Sequence, residues 1–444
     1  MGFVTLRVVC LLVTLMVPVL LRAQGASAPA SVSKAPAAPV SADAQRTYEG
    51  ARGKLVQIRT LLRNTNTQSS VGSGFHVSAD GRILTNFHVA SQLALEPDRY
   101  RAVSVAVDGR QAELELLAFD VQHDLALLRP REPVAGQAAL EFRAADAPLA
   151  RGERIFSLGN PLDIGFAVTE GTFNGMVQRS FYPRIFFGGA LNPGMSGGPA
   201  LDGSGRVVGV NVSKRLDGEL VSFLIPAEFA VRLLERGRDD KPLRGPAHAE
   251  ITRQLLAHQA LLSQRFTSSP LKLQKHGGYQ VPVPDDALAR CWGRGRDPDS
   301  KGFEVERTDC RVDSQVFAGE FTTGFVRVRH EAYDAPRYSA LRFARRYSES
   351  FRNERFASRP SRHKTSAECT ERFVERDGLP IRAVVCINAY RKLPGLYDVS
   401  VLMTTLNRPR QGVQGRLDAN GVSFENGLKL VQYYLDGYRW EAAP

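Results

Sequence analysis

Three short segments hold the residue types that nucleophilic catalysis uses. Residues 83–90 read Ile83-Leu84-Thr85-Asn86-Phe87-His88-Val89-Ala90, residues 123–128 begin His123-Asp124, and residues 192–199 read Asn192-Pro193-Gly194-Met195-Ser196-Gly197-Gly198-Pro199. A serine hydroxyl is a poor nucleophile at neutral pH and needs an adjacent base. Imidazole suits that task, with an ordinary pKa of about 6.5. It works best when a carboxylate holds its other nitrogen in one tautomer. Ser196 therefore reads as nucleophile, His88 as general base and Asp124 as orienting acid. The Gly-rich setting lets the N–H groups of Gly194 and Ser196 converge where a tetrahedral oxyanion forms. Taken singly, the segments also read as a strand with a satisfied histidine, a strand with a solvated acid, and a turn. Together, in the order His, Asp, Ser and among short strands, they support an organised triad.

Other chemically capable residues carry less. His123 neighbours Asp124, but alternation along a strand aims it the opposite way, as a wall residue rather than a second base. His76 and His330 lie in strand-like runs without an evident partner. Trp292 and Trp440 read as core or interface anchors. The chain has no zinc-type Cys/His spacing, no P-loop and no Gly-rich dinucleotide fingerprint, so neither metal nor cofactor is expected.

The elements that must position the triad are short strands. Phe75–Val77 and Ile83–Thr85 flank the hairpin dipeptide Asp80-Gly81. Further apolar runs lie at 103–107, 125–128, 154–158 and 207–212, and many short strands with Gly-rich turns predict a sandwich or barrel. Residues 226–236 predict a helix, with Pro226 at its start and Gly237 past its end. Residues 237–247 hold two prolines and mark a domain boundary. Beyond them the pattern is α+β: helical stretches at 250–265, 337–352 and 423–438, and alternating segments at 302–312, 320–330, 368–375, 381–389 and 397–405.

The ends and the cysteines bear on location. Residues 8–21 (VVCLLVTLMVPVLL) follow Arg7 and precede small residues, the pattern of a secretory signal peptide. The run is shorter than the roughly 20 residues of a membrane span, so export to the periplasm or medium is expected, with an uncleaved N-terminal anchor as the weaker alternative. The expected organisation is signal peptide 1–28, linker and entry segment 29–52, first domain 53–236, linker 237–247 and a separate α+β domain 248–444. Of 5 cysteines, Cys10 leaves with the signal. Cys291, Cys310, Cys369 and Cys386 form an even set in an exported chain, which suggests two disulfides. Three pairings are possible; neighbour pairing, Cys291–Cys310 and Cys369–Cys386, closes short loops and is favoured.

The 444 residues are 43% hydrophobic and 23% charged, enough for two packed domains and against global disorder. Lys and Arg number 58 against 46 Asp and Glu, a net charge of +12. That excess suits an acidic partner such as an envelope polymer. Nucleic acid is not an expected partner, and the oligomeric state is left open.

These motifs, taken in order, resemble the trypsin-like serine proteases of the HtrA (Deg) type, within the chymotrypsin superfamily. The resemblance rests on Gly72-Ser73-Gly74-Phe75, Asp80-Gly81-Arg82-Ile83-Leu84-Thr85-Asn86, His88-Val89, Asp124-Leu125-Ala126-Leu127, Leu158-Gly159-Asn160-Pro161, Val168-Thr169-Glu170-Gly171, Asn192-Pro193-Gly194 with Ser196-Gly197-Gly198, and Phe223-Leu224-Ile225-Pro226. It spans roughly residues 53–236. It implies two six-stranded β-barrels with the triad in the cleft between them, and endopeptidase action on polypeptides through an acyl-enzyme. It also implies that the residue six before the nucleophile, Ala190, lies at the base of the primary pocket, with Asn211, Val212, Ser213 and Lys214 forming the neighbouring wall. Such a pocket carries no acidic base and suits aliphatic or small side chains. The family usually has Asn just before the nucleophile; here it is Met195, a position that contributes mainly its backbone. Typical members continue into PDZ domains, whereas residues 250–444 show no recognisable PDZ pattern. The competing reading is a protease fold used as a binding or chaperone-like module with low or activator-dependent turnover.

Overall fold

Short strands need a hydrogen-bonding partner on each side, and closing a sheet into a ring supplies it without leaving an edge. The computed structural model describes residues 41–441 other than 133, 215–218, 240, 269, 296–301, 320 and 354–360. The expected signal peptide and the linker up to residue 40 lie outside the described residues. The rest of the expected entry segment forms helix α1 (Ala42–Ala51), capped by the Ser41 hydroxyl, which accepts the Ala44 N–H at 3.2 Å. Ala44 and Ala51 are buried, so small residues here serve close packing rather than chain freedom.

The first barrel runs β1 (Leu55–Leu62), β2 (Gln68–His76), β3 (Ile83–Thr85), β4 (Tyr100–Ala106), β5 (Gln111–Asp120) and β6 (Leu125–Pro130), closed in the order β1-β2-β3-β6-β5-β4. Helix α2 (Phe87–Leu95) leaves β3 directly. The second barrel comprises β7 (Arg154–Gly159), β8 (Ala167–Met176), β9 (Ile185–Phe187), β10 (Pro199–Leu201), β11 (Val207–Lys214) and β12 (Ser222–Pro226), closed in the order β10-β11-β12-β9-β8-β7. Helix α3 (Ala227–Arg236) follows, starting just after Pro226 as its sequence predicts.

One apolar cluster joins the barrels. Leu55, Phe75, Leu84, Leu125 and Leu127 of the first meet Phe156, Leu158, Val207 and Val210 of the second, sealed by Phe229, Ala230 and Leu233 of α3. Each large side chain buried this fully contributes about 1.5–3 kcal/mol. The cleft above this cluster is therefore a fixed seam.

The C-terminal half begins with α4 (His248–Thr267), β13 (Lys272–His276), β14 (Tyr279–Val283), β15 (Ala289–Arg294) and β16 (Glu304–Val312). A two-stranded hairpin, β17 (Val316–Phe317) and β18 (Thr322–Thr323), leads to β19 (Phe325–Asp334) and α5 (Ala340–Asn353). Then come β20 (Glu368–Arg376), β21 (Leu379–Ala389), β22 (Tyr397–Thr405), β23 (Gln411–Val422), α6 (Phe424–Leu435) and β24 (Arg439–Trp440). A seven-stranded antiparallel sheet, β15-β16-β19-β23-β22-β21-β20, carries α4 and α6 packed on one another and on its central strands. Val328, Val401, Met403, Leu417, Leu430 and Tyr434 lie in its core. A smaller sheet, β13-β14-β24, completes this half.

The disulfides join register partners: Cys291 to Cys310 across β15 and β16, and Cys369 to Cys386 across β20 and β21. Two expectations change. Trp292 is 60% exposed on edge strand β15 and is not a core anchor, whereas Trp440 packs edge-on against Tyr279 with ring centroids 4.6 Å apart. Strand β23 runs through the centre of the large sheet, where the turn-like residues Gly412, Asp418, Asn420 and Gly421 gave no strand signal.

Candidate active site

The site begins where β3 ends. Thr85 is the last paired residue, and Asn86 turns the chain into α2 with extended backbone angles. His88 thus stands in the first turn of a helix, where backbone N–H groups lack intrahelical acceptors. Asp124, on the turn before β6, supplies one: its Oδ1 accepts the His88 backbone N–H at 2.8 Å, while Oδ2 faces His88 Nδ1 at 2.6 Å. A carboxylate is favoured at this helix end by the dipole as well. The Asp124 carbonyl accepts the Phe87 N–H at 3.1 Å and the Asn86 side-chain amide at 2.9 Å. Asp124 reaches this position with φ +56°, a conformation that Asp tolerates better than most residues. One residue therefore fixes both the backbone and the ring of the other.

With Nδ1–H given to the carboxylate, Nε2 is left as the acceptor. Burial pulls the His88 pKa down, but the charge and hydrogen bond of Asp124 outweigh it and hold the ring above the ordinary histidine value.

Ser196 lies on the turn before β10. Its carbonyl accepts the Ser73 N–H at 2.8 Å, and the following Gly197 N–H donates to the Asn211 carbonyl at 2.9 Å. The Met195 side chain is 1% exposed and packs with Ile155, Ile185, Phe187 and Leu224 inside the second barrel. It pins the nucleophile turn into the core. The Ser196 hydroxyl donates to the Val212 carbonyl at 3.4 Å; no hydrogen bond joins it to the His88 ring among the described residues.

The backbone ahead of Ser196 is aimed by two contacts. The Pro193 carbonyl accepts the Leu162 N–H at 2.8 Å. Carbonyl and N–H of one trans peptide point opposite ways, so the Gly194 N–H faces away from that loop. Gly194 has φ +94°, and a Cβ there would strike the Asn160 carbonyl, so only glycine fits. The Ser73 hydroxyl donates to the Gly194 carbonyl at 2.7 Å and accepts the Asn160 N–H at 2.9 Å. Leu162 and Asp163 have φ of +54° and +60°. That loop is held by Asp163, which accepts from Gln57 at 2.6 Å and from Arg59 at 3.0 Å. The N–H groups of Gly194 and Ser196 make no hydrogen bond among the described residues.

The expected pocket residues divide. Ala190 is half-buried in the segment between β9 and the nucleophile turn. Val212 lines the same cavity as His88 and Asp124. Asn211 is fully buried, its amide donating to the Leu158 and Met195 carbonyls and its carbonyl accepting from Ser157; it braces the nucleophile turn. Of Ser213 and Lys214 only the backbone is described, paired with Phe223 and Ser222 on β12. His123 makes its own pair with Asp120 at 2.9 Å and stacks on Phe229 at 3.8 Å, as a wall residue would. Ser73 stands within a motif quoted for the resemblance and Leu162 just after another, but nothing local marks them as supports of Gly194. Phe317, whose ring meets the His88 ring edge-on at 5.8 Å, had no signal at all.

Residues 72–210 match the family described as "Trypsin-like peptidase domain". This stretch is a trypsin-like peptidase domain, similar to those of DegP-like serine endoproteases. A probable periplasmic serine endoprotease, DegP-like, from Ectopseudomonas mendocina is 34% identical over 185 residues, covering 40% of this chain and 37% of that protein. The putative serine protease HhoB of Synechocystis is 31% identical over 191 residues, covering 40% and 44%. A solved serine endoprotease from Yersinia pestis is 25% identical, covers 45% of this chain and 68% of that one, and gives a TM-score of 0.39. The chain spans less than half the length of the curated relatives it matches. The C-terminal sheet lies outside the matched family region.

Proposed function

We propose that this chain is an exported serine endopeptidase that hydrolyses protein substrates through an acyl-enzyme. The observation that carries the reading is the double hold of Asp124 on His88, beside a serine whose flanking N–H groups are unengaged. Ser196 Oγ attacks the substrate carbonyl carbon as its proton passes to His88 Nε2. The oxygen that becomes negative is met by the N–H groups of Gly194 and Ser196. The C–N bond then breaks as His88 returns the proton to the leaving amine, and Asp124 stays ionised throughout. Water repeats the sequence on the ester and frees the acid. Ala190, Val212 and the backbone of 213–214 line the path of the acyl-side chain, and the uncharged Ala190 favours aliphatic or small residues in the primary pocket. Two observations support export: the apolar run at 8–21, and relatives named periplasmic. No helix among the described residues is long and apolar enough to cross a membrane.

A second reading, a protease fold with low or activator-dependent turnover, draws on the Ser196 hydroxyl resting on Val212 rather than on His88. A fluorophosphonate probe and an unfolded protein substrate separate the two. Labelling at Ser196, with proteolysis that Ser196→Ala abolishes, is the expected result. Folded protein that neither labels nor cleaves would overturn the hydrolase reading.

A further inference from the structure

A cavity of about 340 Å³ opens beside His88 and Asp124, within the range of about 300–1,000 Å³ typical of ligand sites. Its inner walls come from the barrels, with Tyr182, Arg184 and Val212. Its outer wall comes from the C-terminal half, with Asp313, Val316 and Phe317. We propose that the β17–β18 hairpin is part of the substrate cleft, with Phe317 as the wall of an acyl-side subsite that selects a compact apolar side chain.

The inference rests on the hydrolase reading and on the alternation of an extended chain. Successive side chains of an extended peptide point to opposite sides. With the cleaved residue's side chain in the primary pocket, the next side chain on the acyl side turns toward the His88 wall. There it meets Phe317. Arg184 and Asp313 bring one charge of each sign, and the Asp124 carboxylate that also lines the cavity is taken up by His88, so no free charge of one sign dominates.

The hairpin is built as a fixed wall rather than a flap. Val316 is 4% exposed and shares a core cluster with Val89, Phe119 and Val121 of the first barrel. The Ser314 hydroxyl and His258 Nε2 both donate to the Gly324 carbonyl at 2.8 Å. Thr323 and Tyr390 share a buried hydroxyl bond of 2.6 Å, and the Phe181 N–H of the second barrel donates to the Asp313 carbonyl at 3.1 Å. Phe317 itself stays half-buried, one face toward the cavity.

The test is a set of peptides varied only at the second acyl-side position and cleaved by the full chain. Alanine, valine or leucine there is expected to exceed aspartate or lysine in kcat/KM. Phe317→Ala should cut the preference for valine over glycine about tenfold, chiefly through KM, and Phe317→Leu should restore most of it. A change of equal size for every peptide, up or down, would make the hairpin a plug or a mere support and overturn the proposal. The same peptides are titrated onto Ser196→Ala with and without Phe317→Ala, which reads the subsite even if the chain hydrolyses nothing. Valine-selective binding lost with Phe317 supports the proposal; binding indifferent to Phe317, or no binding, overturns it. Absent turnover with Phe317-dependent binding would count against the hydrolase reading alone.

Discussion

The two halves of this chain solve the same problem by different means. Each is a β-structure with backbone groups that must be paired. The barrels remove their edges by closing, and the two barrels and α3 hold no cysteine. The C-terminal sheet stays open, with edges at β15 and β20, and each edge strand is tied to its inner neighbour by a disulfide. Strand β20 also carries Glu368, Glu371, Arg372, Glu375 and Arg376 along its exposed length, which discourages pairing with another chain. Closure frees the barrel half to store strain, such as the positive φ at Leu162 and Asp163, around a chemical site. Among its described residues the open sheet shows no comparable constellation.

The largest effect expected of this contrast is that the bond-breaking chemistry depends on side chains of the barrel half. Ser196→Ala or His88→Ala should lower turnover by about 10⁴-fold or more without loss of fold, and the double variant should be no worse. Asp124→Asn should cost a similar factor by upsetting the histidine tautomer. Proteolysis that survives Ser196→Ala, measured on an unfolded protein substrate, would move the chemistry elsewhere and erase the contrast.

Reduction probes the other half. The bridges span 19 and 17 residues, and chain entropy assigns about 3 kcal/mol to each. Thiol titration of denatured, unreduced mature protein should find none of the four cysteines free. After reduction, amide exchange should speed in β15–β16 and β20–β21 and leave β1–β12 protected. Equal loss everywhere would show that the core shared by Val316, Ile251 and the first barrel makes the halves one unfolding unit.

A smaller effect tests how the barrel half holds its strain. Ser73→Ala leaves the Asn160 N–H and the Gly194 carbonyl buried without the hydroxyl they share. The expected cost is about 1–3 kcal/mol of stability, with a fall in kcat of about 10- to 100-fold as Gly194 loosens. Unchanged kcat would show that the Leu162–Pro193 contact aims Gly194 by itself.

Legibility differed between the halves for physical reasons. The candidate triad stands out in the sequence because nucleophile, base and acid must be particular residue types, and because Gly194 answers a steric demand. The barrel hairpin at Asp80-Gly81 was legible for the same kind of reason: Gly81 takes φ +80°. Helix α2 was missed because its first residues, Phe87 to Val89, alternate like a strand. Strand β23 was missed because Gly412 and Gly415 look like turn residues. They are packing residues: a Cβ on Gly412 would come within 2.5 Å of Tyr347, and one on Gly415 would strike Tyr434 and Tyr438. Glycine there admits aromatic rings against a central strand, a demand set by distant sequence. The neighbour pairing of cysteines was legible because antiparallel neighbours bring close sequence positions together. The contact of Phe317 with His88 links residues more than two hundred positions apart, and no local pattern encodes it.

Acid separates the halves with the smallest perturbation. His88 is shifted up, whereas His258 and His330 of the C-terminal half, like His76 on β2, are shifted down by burial. His88 titrates above the ordinary value because Asp124 outweighs its burial. Burial lowers His258 to about 4, and burial with the neighbouring His276 lowers His330 to about 3. Hydrolysis needs neutral His88, so the rate should fall with pH through a midpoint above 6.5, and Asp124→Asn should move that midpoint down. For His258 and His330 the unfolded chain binds protons that the native chain refuses. Their stability is therefore complete above about 6.5 and is lost as pH falls toward 4, by an amount on the order of a few kcal/mol. His88 acts in the opposite sense: its contribution is present below 6.5 and fades as pH rises through its raised native value. Activity should accordingly disappear at a higher pH than the C-terminal half begins to unfold, followed by peptide hydrolysis and by fluorescence of Trp292 and Trp440. Coincident midpoints would mean that activity is lost by unfolding, and that His88 is not the titrating base.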